Sequence, residues 1–189
     1  MRVSSSRLAF ALVLVAGSGS LFAQGSSIYR NSLAPYAPSP QIIVEKMLEL
    51  ANVQPGDTVY DLGSGDGRVL ITAVQQFRAR AVGVELVPEI ARKASERIQK
   101  LGLQDRAKVI QGDIRDADLS DADVVTMYLL TDSNEMLRPK LEKSLKPGTR
   151  VVSYSFKVPG WKPKEVEETD PFGNGRKHTI YLYVMPSQK

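Results

Sequence analysis

Val59-Tyr60-Asp61-Leu62-Gly63-Ser64-Gly65-Asp66-Gly67-Arg68 lies between a Pro55-Gly56 turn signal and an apolar helical pattern. A short β-type run ends at a carboxylate, and three glycines follow at alternate positions. Without Cβ atoms the chain turns tightly from strand to helix and leaves main-chain N–H groups open to a ligand. Spacing narrows the choice of ligand. Dinucleotide-binding turns read G-x-G-x-x-G, whereas Gly63, Gly65 and Gly67 read G-x-G-x-G, with Asp61 two residues ahead. Asp66 would set a negative charge beside a pyrophosphate, and no lysine follows the glycines as a phosphate-binding loop requires. An acid-flanked cradle of this kind suits a cationic ligand.

Outward from this stretch the chain alternates strands and helices. Upstream, Ile43, Met47, Leu50 and Ala51 share a helical face, which predicts a helix over 40–52 with Ser39 as N-cap and Pro40 at the first helical position. Thr58 to Leu62 reads as the first strand. Leu70, Ala73, Val74 and Phe77 then mark an amphipathic helix. Ala81 to Glu85 is a second strand ending in an acid. Pro88 opens a helix whose face is expected to include Ile90, Ala94, Ile98 and Leu101, closed by Gly102. Ala107 to Gln111 is a third strand, followed by Gly112-Asp113. Asp123 to Leu129 is a fourth, its apolar run fitting burial on both faces. Asp132 and Glu135 form a capping box for a helix carrying Leu137, Leu141 and Leu145. Arg150 to Phe156 is the fifth strand. Lys164 to Thr169 and Lys177 to Val184, joined through Pro171 to Gly175 with no helix between, predict an antiparallel hairpin.

Five strands separated mainly by helices, then a hairpin, predict an α/β fold: a Rossmann-like, doubly wound, seven-stranded sheet, mainly parallel with one antiparallel strand. Ligands of such sheets bind beyond the carboxyl ends of the strands, where the winding reverses. Asp61, Glu85 and Asp113 all stand at or just past those ends.

These residues resemble a known family. Val59 to Arg68 is similar to motif I of class I S-adenosylmethionine-dependent methyltransferases, Gly83-Val84-Glu85-Leu86 to the acidic end of their second strand, and Gly112-Asp113-Ile114 to their adenine-side loop. The resemblance implies S-adenosyl-L-methionine as cofactor. Asp61 with Gly63, Ser64, Gly65, Asp66 and Gly67 would hold its methionyl part, Glu85 and Leu86 the ribose side, and Asp113 with the Ile114 N–H the adenine edge. Tyr36-Ala37-Pro38-Ser39-Pro40, Met47 to Ala51, Pro55-Gly56-Asp57 and Leu137-Arg138-Pro139-Lys140-Leu141 extend the likeness. They resemble small bacterial methyltransferases, themselves similar to the mitochondrial protein-lysine methyltransferases acting on ATP synthase subunit c and the adenine nucleotide translocase. Tyr36 and Ser39 would then lie over the methionyl end. The implied activity is in-line methyl transfer, with a protein lysine favoured as acceptor and a small molecule behind it.

Methyl transfer from a sulfonium needs alignment and exclusion of water more than a dedicated acid–base pair. An amine acceptor must first lose its proton, which an apolar mouth favours. Tyr128, at the end of the fourth strand, is the candidate catalytic residue. Leu129-Leu130-Thr131 after it lacks the [DN]-P-P-[YFW] sequence that many adenine and glutamine amino-methyltransferases carry there. His178, the only histidine, reads as structural, and Trp161 either shapes a substrate mouth or covers the sheet end. No cluster of metal-ligating spacing is present, and without cysteine neither thiol catalysis nor a Cys-bound metal is available. Arg138, Lys140, Lys143 and Lys146 read as a solvated helix face, so no nucleic-acid partner is expected.

The N-terminus differs in kind. Arg2 and Arg7 precede an apolar run from Leu8 to Ala16 and small residues ahead of Leu21-Phe22-Ala23, the layout of a signal peptide or short anchor over 1–23. This predicts export with cleavage after Ala23, or membrane association through an uncleaved N-terminus, in conflict with a cytoplasmic cofactor. An exported, non-catalytic binding protein is the corresponding alternative. A linker over 24–34 and a domain over 35–186, monomeric, complete the expectation. The leader carries two of the 25 basic residues and none of the 21 acidic ones, so the basic balance of the rest is slight.

Overall fold

Ahead of the first strand comes helix α1 (Gln41–Leu50), then β1 (Thr58–Leu62), α2 (Arg68–Phe77), β2 (Arg80–Glu85), α3 (Pro88–Lys100) and β3 (Ala107–Gln111). After a 3-10 turn (Ile114–Asp116) follow β4 (Val124–Met127), α4 (Thr131–Ser144), β5 (Arg150–Tyr154), β6 (Glu165–Thr169) and β7 (His178–Val184). The computed structural model describes residues 33–34 and 36–186, and the predicted leader and most of the linker lie outside them.

The seven strands form one sheet in the order β3-β2-β1-β4-β5-β7-β6. Strands β1 to β5 pair in parallel, whereas β7 runs antiparallel to both β5 and β6, which is the predicted hairpin. The winding reverses between β1 and β4, so the crevice expected to take a ligand opens at their carboxyl ends.

Strand alternation divides the core in two. Val59, Ala81, Val124, Val152, Tyr154 and Ile180 face α1, α2 and α3, while Tyr60, Leu62, Val82, Val125, Met127 and Val151 face α4. The same alternation carries Asp61, Gly83, Glu85, Thr126 and Tyr128 onto the α1–α3 side at the carboxyl rim.

Several boundaries differ from expectation. Pro40, not Ser39, is the N-cap of α1, at φ −56° and ψ 142°, and its carbonyl accepts from both Ile43 and Val44 N–H. The ring holds Pro40 just short of helical geometry, so the Ser39 hydroxyl caps nothing. The predicted Asp132–Glu135 capping box does not form either. Helix α4 starts at Thr131 with Leu130 at the N-cap and no side-chain cap bond, and the Leu130 carbonyl takes the Asn134 N–H. The buried side of α3 is Ala91, Ala94 and Ile98, and Leu101 is exposed at the C-cap. Strand β4 is shorter than predicted, ending at Met127, and the Asp123 carboxylate just before it accepts from Thr58 N and Lys146 Nζ. Strand β5 stops at Tyr154, since Ser155 takes φ 63° and turns the chain out of extension.

Candidate active site

Asp61 is paired in register with Gly83 on β2 and Thr126 on β4, so it stands where the winding reverses. It is buried, and Thr126 Oγ1 donates to its Oδ1 at 2.7 Å. Burial pushes its pKa up to about 7, against the Thr126 hydrogen bond and with the charges of Glu85 and Asp66 adding to the rise. Glu85, also buried, ties two turns together: its Oε2 accepts from Gly65 N at 3.0 Å and its Oε1 from Val87 N at 2.9 Å.

Gly63, Gly65 and Gly67 take φ values of 84°, 52° and 76°, the left-handed region that glycine enters without steric cost. A Cβ on Gly65 would fall 2.8 Å from Tyr36 Cε2, so the Tyr36 ring lies directly against the loop. Ser64 is drawn down onto β2, where the absent side chain of Gly83 makes room. A Cβ there would stand 2.5 Å from Ser64 Oγ. That hydroxyl is buried without a hydrogen-bond partner.

Asp66 is bound by two arginines. Arg68 Nε and Nη2 donate to it at 2.9 and 2.8 Å, and Arg97 Nη1 at 3.0 Å. These guanidiniums outweigh burial and keep its carboxyl below the usual range. Arg68 Nη1 also donates to the Ser39 carbonyl at 2.6 Å, which binds the segment before α1 to the glycine turn. Leu86 is half-buried beyond β2. Asp113 caps the 3-10 turn by accepting from Arg115 N at 2.8 Å, and the Arg115 guanidinium holds its carboxyl below the ordinary range. Ile114, first in that turn, is buried. Tyr128, one residue past β4 and half-buried, lies 4.4 Å from the Tyr154 ring and 6.2 Å from Phe156 between centroids.

The structure therefore brings Tyr36, Asp61, the glycine turn and Glu85 together, and commits Asp66 and Asp113 to neighbouring arginines. Trp161 is absent from this rim: it packs edge-on to Tyr183 on the α4 side, with Nε1 donating to Glu142. The room that Gly83 leaves for Ser64, the role of Thr126 and the Arg68–Ser39 link went unread in the sequence. A glycine inside a strand and a lone hydroxyl in the apolar run Val124 to Met127 were the signals for the first two.

The model of the ANTKMT methyltransferase domain matches residues 61–165, from the first rim acid into β6. The chain belongs to this methyltransferase family. A protein-lysine N-methyltransferase of Saccharolobus islandicus strain REY15A is 53% identical over 82% of this chain and 96% of its own length. The mouse adenine nucleotide translocase lysine N-methyltransferase is 35% identical over 72% of this chain, which spans 60% of that relative. Among solved structures, an RNA methyltransferase from Salinibacter ruber in complex with S-adenosyl-L-homocysteine superposes with a TM-score of 0.74 and 42% identity. That match covers 81% of this chain and 96% of the other. This member of the ANTKMT methyltransferase family is an S-adenosylmethionine-dependent methyltransferase. The residues present fit the cofactor: a glycine turn free of Cβ atoms, a buried carboxylate for a cation, and a buried serine hydroxyl still lacking a partner.

Proposed function

We propose that the methyl acceptor is the ε-amine of a lysine in a protein. S-adenosylmethionine supplies the methyl group on a sulfonium, which is already an activated leaving group. Asp61 and the main chain of Gly63 to Gly67 would hold the methionyl end, Glu85 and Leu86 the ribose side, and Asp113 with Ile114 the adenine edge. The chain's remaining task is to align the amine and keep water out, a proximity effect that supplies about 7–11 kcal/mol in favourable cases. The observation that carries the lysine reading is the mouth itself. Tyr128, backed by Tyr154 and Phe156, makes it aromatic. Such a lining favours the neutral amine that must attack. The Saccharolobus relative's lysine activity supports the same acceptor.

RNA is the second reading, favoured by the description of the Salinibacter structure. Against it, two of the basic residues on and just past α4 are engaged within the chain: Arg138 donates to the Pro159 carbonyl and Lys146 to Asp123. Incubation of the purified protein with methyl-labelled cofactor and cell extract separates the two. Label surviving nuclease treatment and recovered as methyl-lysine after acid hydrolysis is the expected result. Label confined to the nuclease-sensitive fraction would overturn it.

A further inference from the structure

The rings beside Tyr128 are held in place by more than packing. Tyr128 and Phe156 are near-parallel, at 24°, with centroids 6.2 Å apart, and Tyr154 lies 4.4 Å from Tyr128. Tyr128 and Phe156 are half-buried, and Tyr154 is buried beneath them. Phe156 reaches this position only because Ser155 adopts φ 63°, a conformation costly for a residue with a Cβ. The turn is clamped from two sides. Ser153 Oγ donates to the Phe156 carbonyl at 2.6 Å, and Asn134 Nδ2, from α4, donates to the Phe156 and Lys157 carbonyls at 3.2 and 3.1 Å. On the far side, the Tyr154 hydroxyl is 2.5 Å from His178 Nδ1, and the His178 ring stacks on Tyr154 and meets Phe172 edge-on.

A packed core has no need of a left-handed serine or of a buried amide spent on two carbonyls. Backbone of this kind persists where the surroundings enforce it, and it collects at sites that position groups. Two half-buried rings lying side by side over a third also offer an apolar surface to the methylene stem of a long side chain.

We propose that Tyr128 and Phe156, over a floor of Tyr154, form the seat of the acceptor lysine's side chain, with its methylene stem against the rings and its neutral amine beyond them. Asn134 and His178 act as positioning residues, the first through the 155–157 turn and the second through Tyr154. The proposal rests on the lysine reading above. It makes the strained turn after β5, rather than any acid or base, the feature that selects a long side chain ending in an amine.

The test uses the full chain, saturating S-adenosylmethionine and poly-L-lysine as acceptor. Phe156→Ala raises KM for poly-L-lysine at least tenfold, with kcat within about threefold and the Kd for S-adenosylhomocysteine unchanged. Phe156→Tyr restores KM, and Asn134→Ala, which leaves every ring intact, raises it severalfold. Should Phe156→Ala fold poorly, Phe156→Leu replaces it, and unchanged cofactor affinity verifies the fold. Wild-type KM in the leucine and alanine variants, or a loss confined to kcat or to cofactor affinity, overturns the seat while leaving the lysine reading intact. A wild-type enzyme that labels an RNA oligonucleotide and not poly-L-lysine overturns both.

Discussion

If Asp61 holds the cofactor as proposed, it couples stability and cofactor affinity in opposite directions. Its pKa rises to about 7 in the folded protein from 3.8. Between those values the unfolded chain has released the proton and the folded chain still holds it, so this group's contribution to stability falls as pH rises from about 4 to about 7 and is flat above. Removing the buried charge relieves that cost. Asp61→Asn keeps an acceptor for Thr126 and is expected to raise the thermal midpoint at pH 8 by a few degrees, while weakening S-adenosylhomocysteine binding at least tenfold. Such an exchange of stability for function is common at binding sites. The ammonium of the cofactor prefers the ionised carboxylate. Affinity therefore falls as pH drops below about 7, by roughly tenfold per pH unit at most, and the asparagine variant loses that slope. Titration calorimetry at pH 6 and pH 8 decides it, and equal wild-type affinities would refute the account. Gly83 offers a second test. A Cβ there meets Ser64 Oγ at 2.5 Å and Leu70 Cδ1 at 2.8 Å. Gly83→Ala is thus an overpacking substitution costing about 1–3 kcal/mol, and it lifts the glycine turn off β2. Lower thermal stability together with weaker S-adenosylhomocysteine binding is expected. A variant indistinguishable from wild type in both would show that the turn yields easily.

Between elements, Arg68 is the joint. It opens α2, neutralises Asp66 inside the turn, and reaches the Ser39 carbonyl just before α1. Arg68→Met keeps the stem and removes the links to Asp66 and Ser39. The Tyr36 ring, which lies on Gly65, then loses the anchor of its own segment. Weaker S-adenosylhomocysteine binding, by roughly tenfold and with a smaller change in thermal midpoint, is the expected outcome in calorimetry and melting curves. Here the sequence was readable only in part. Strand β1 and strand β3 begin and end where alternation and flanking turns put them. The acids at the rim follow from those ends. Phe156 was placed inside a strand, because nothing in Ser153-Tyr154-Ser155-Phe156 announces that a serine turns left-handed. The amide that enforces it comes from Asn134, 22 residues away. The pairing of Asp66 with Arg97 in α3, 31 residues on, was equally unreadable. Pairings of that range depend on tertiary packing, which local pattern does not encode.

Across the whole molecule, stability should be graded from the winding reversal outward. Strands β1 and β4 are buried at every position and bonded on both edges. Strand β6 is the sheet's outer edge, with no position fully buried and Val166 47% exposed. Two of its side chains are tied to other elements by ion pairs, Glu167 to Lys46 and Glu168 to Lys177. Solvent screens such exposed pairs, so they add little to stability. Opening β6 therefore exposes little apolar surface, and its amides exchange through local opening while those of β1 and β4 wait for global unfolding. Native-state hydrogen exchange should show β6 amides exchanging at least a hundredfold faster than those of β1. Because β7 separates β6 from the parallel strands, adding S-adenosylhomocysteine should slow exchange in residues 61–67 and 85–87 and leave β6 unaffected. Equal protection in β1 and β6 would show that the hairpin unfolds with the parallel strands as one unit. In that case the rings that His178 steadies would derive their rigidity from the sheet as a whole, not from the clamps on the 155–157 turn.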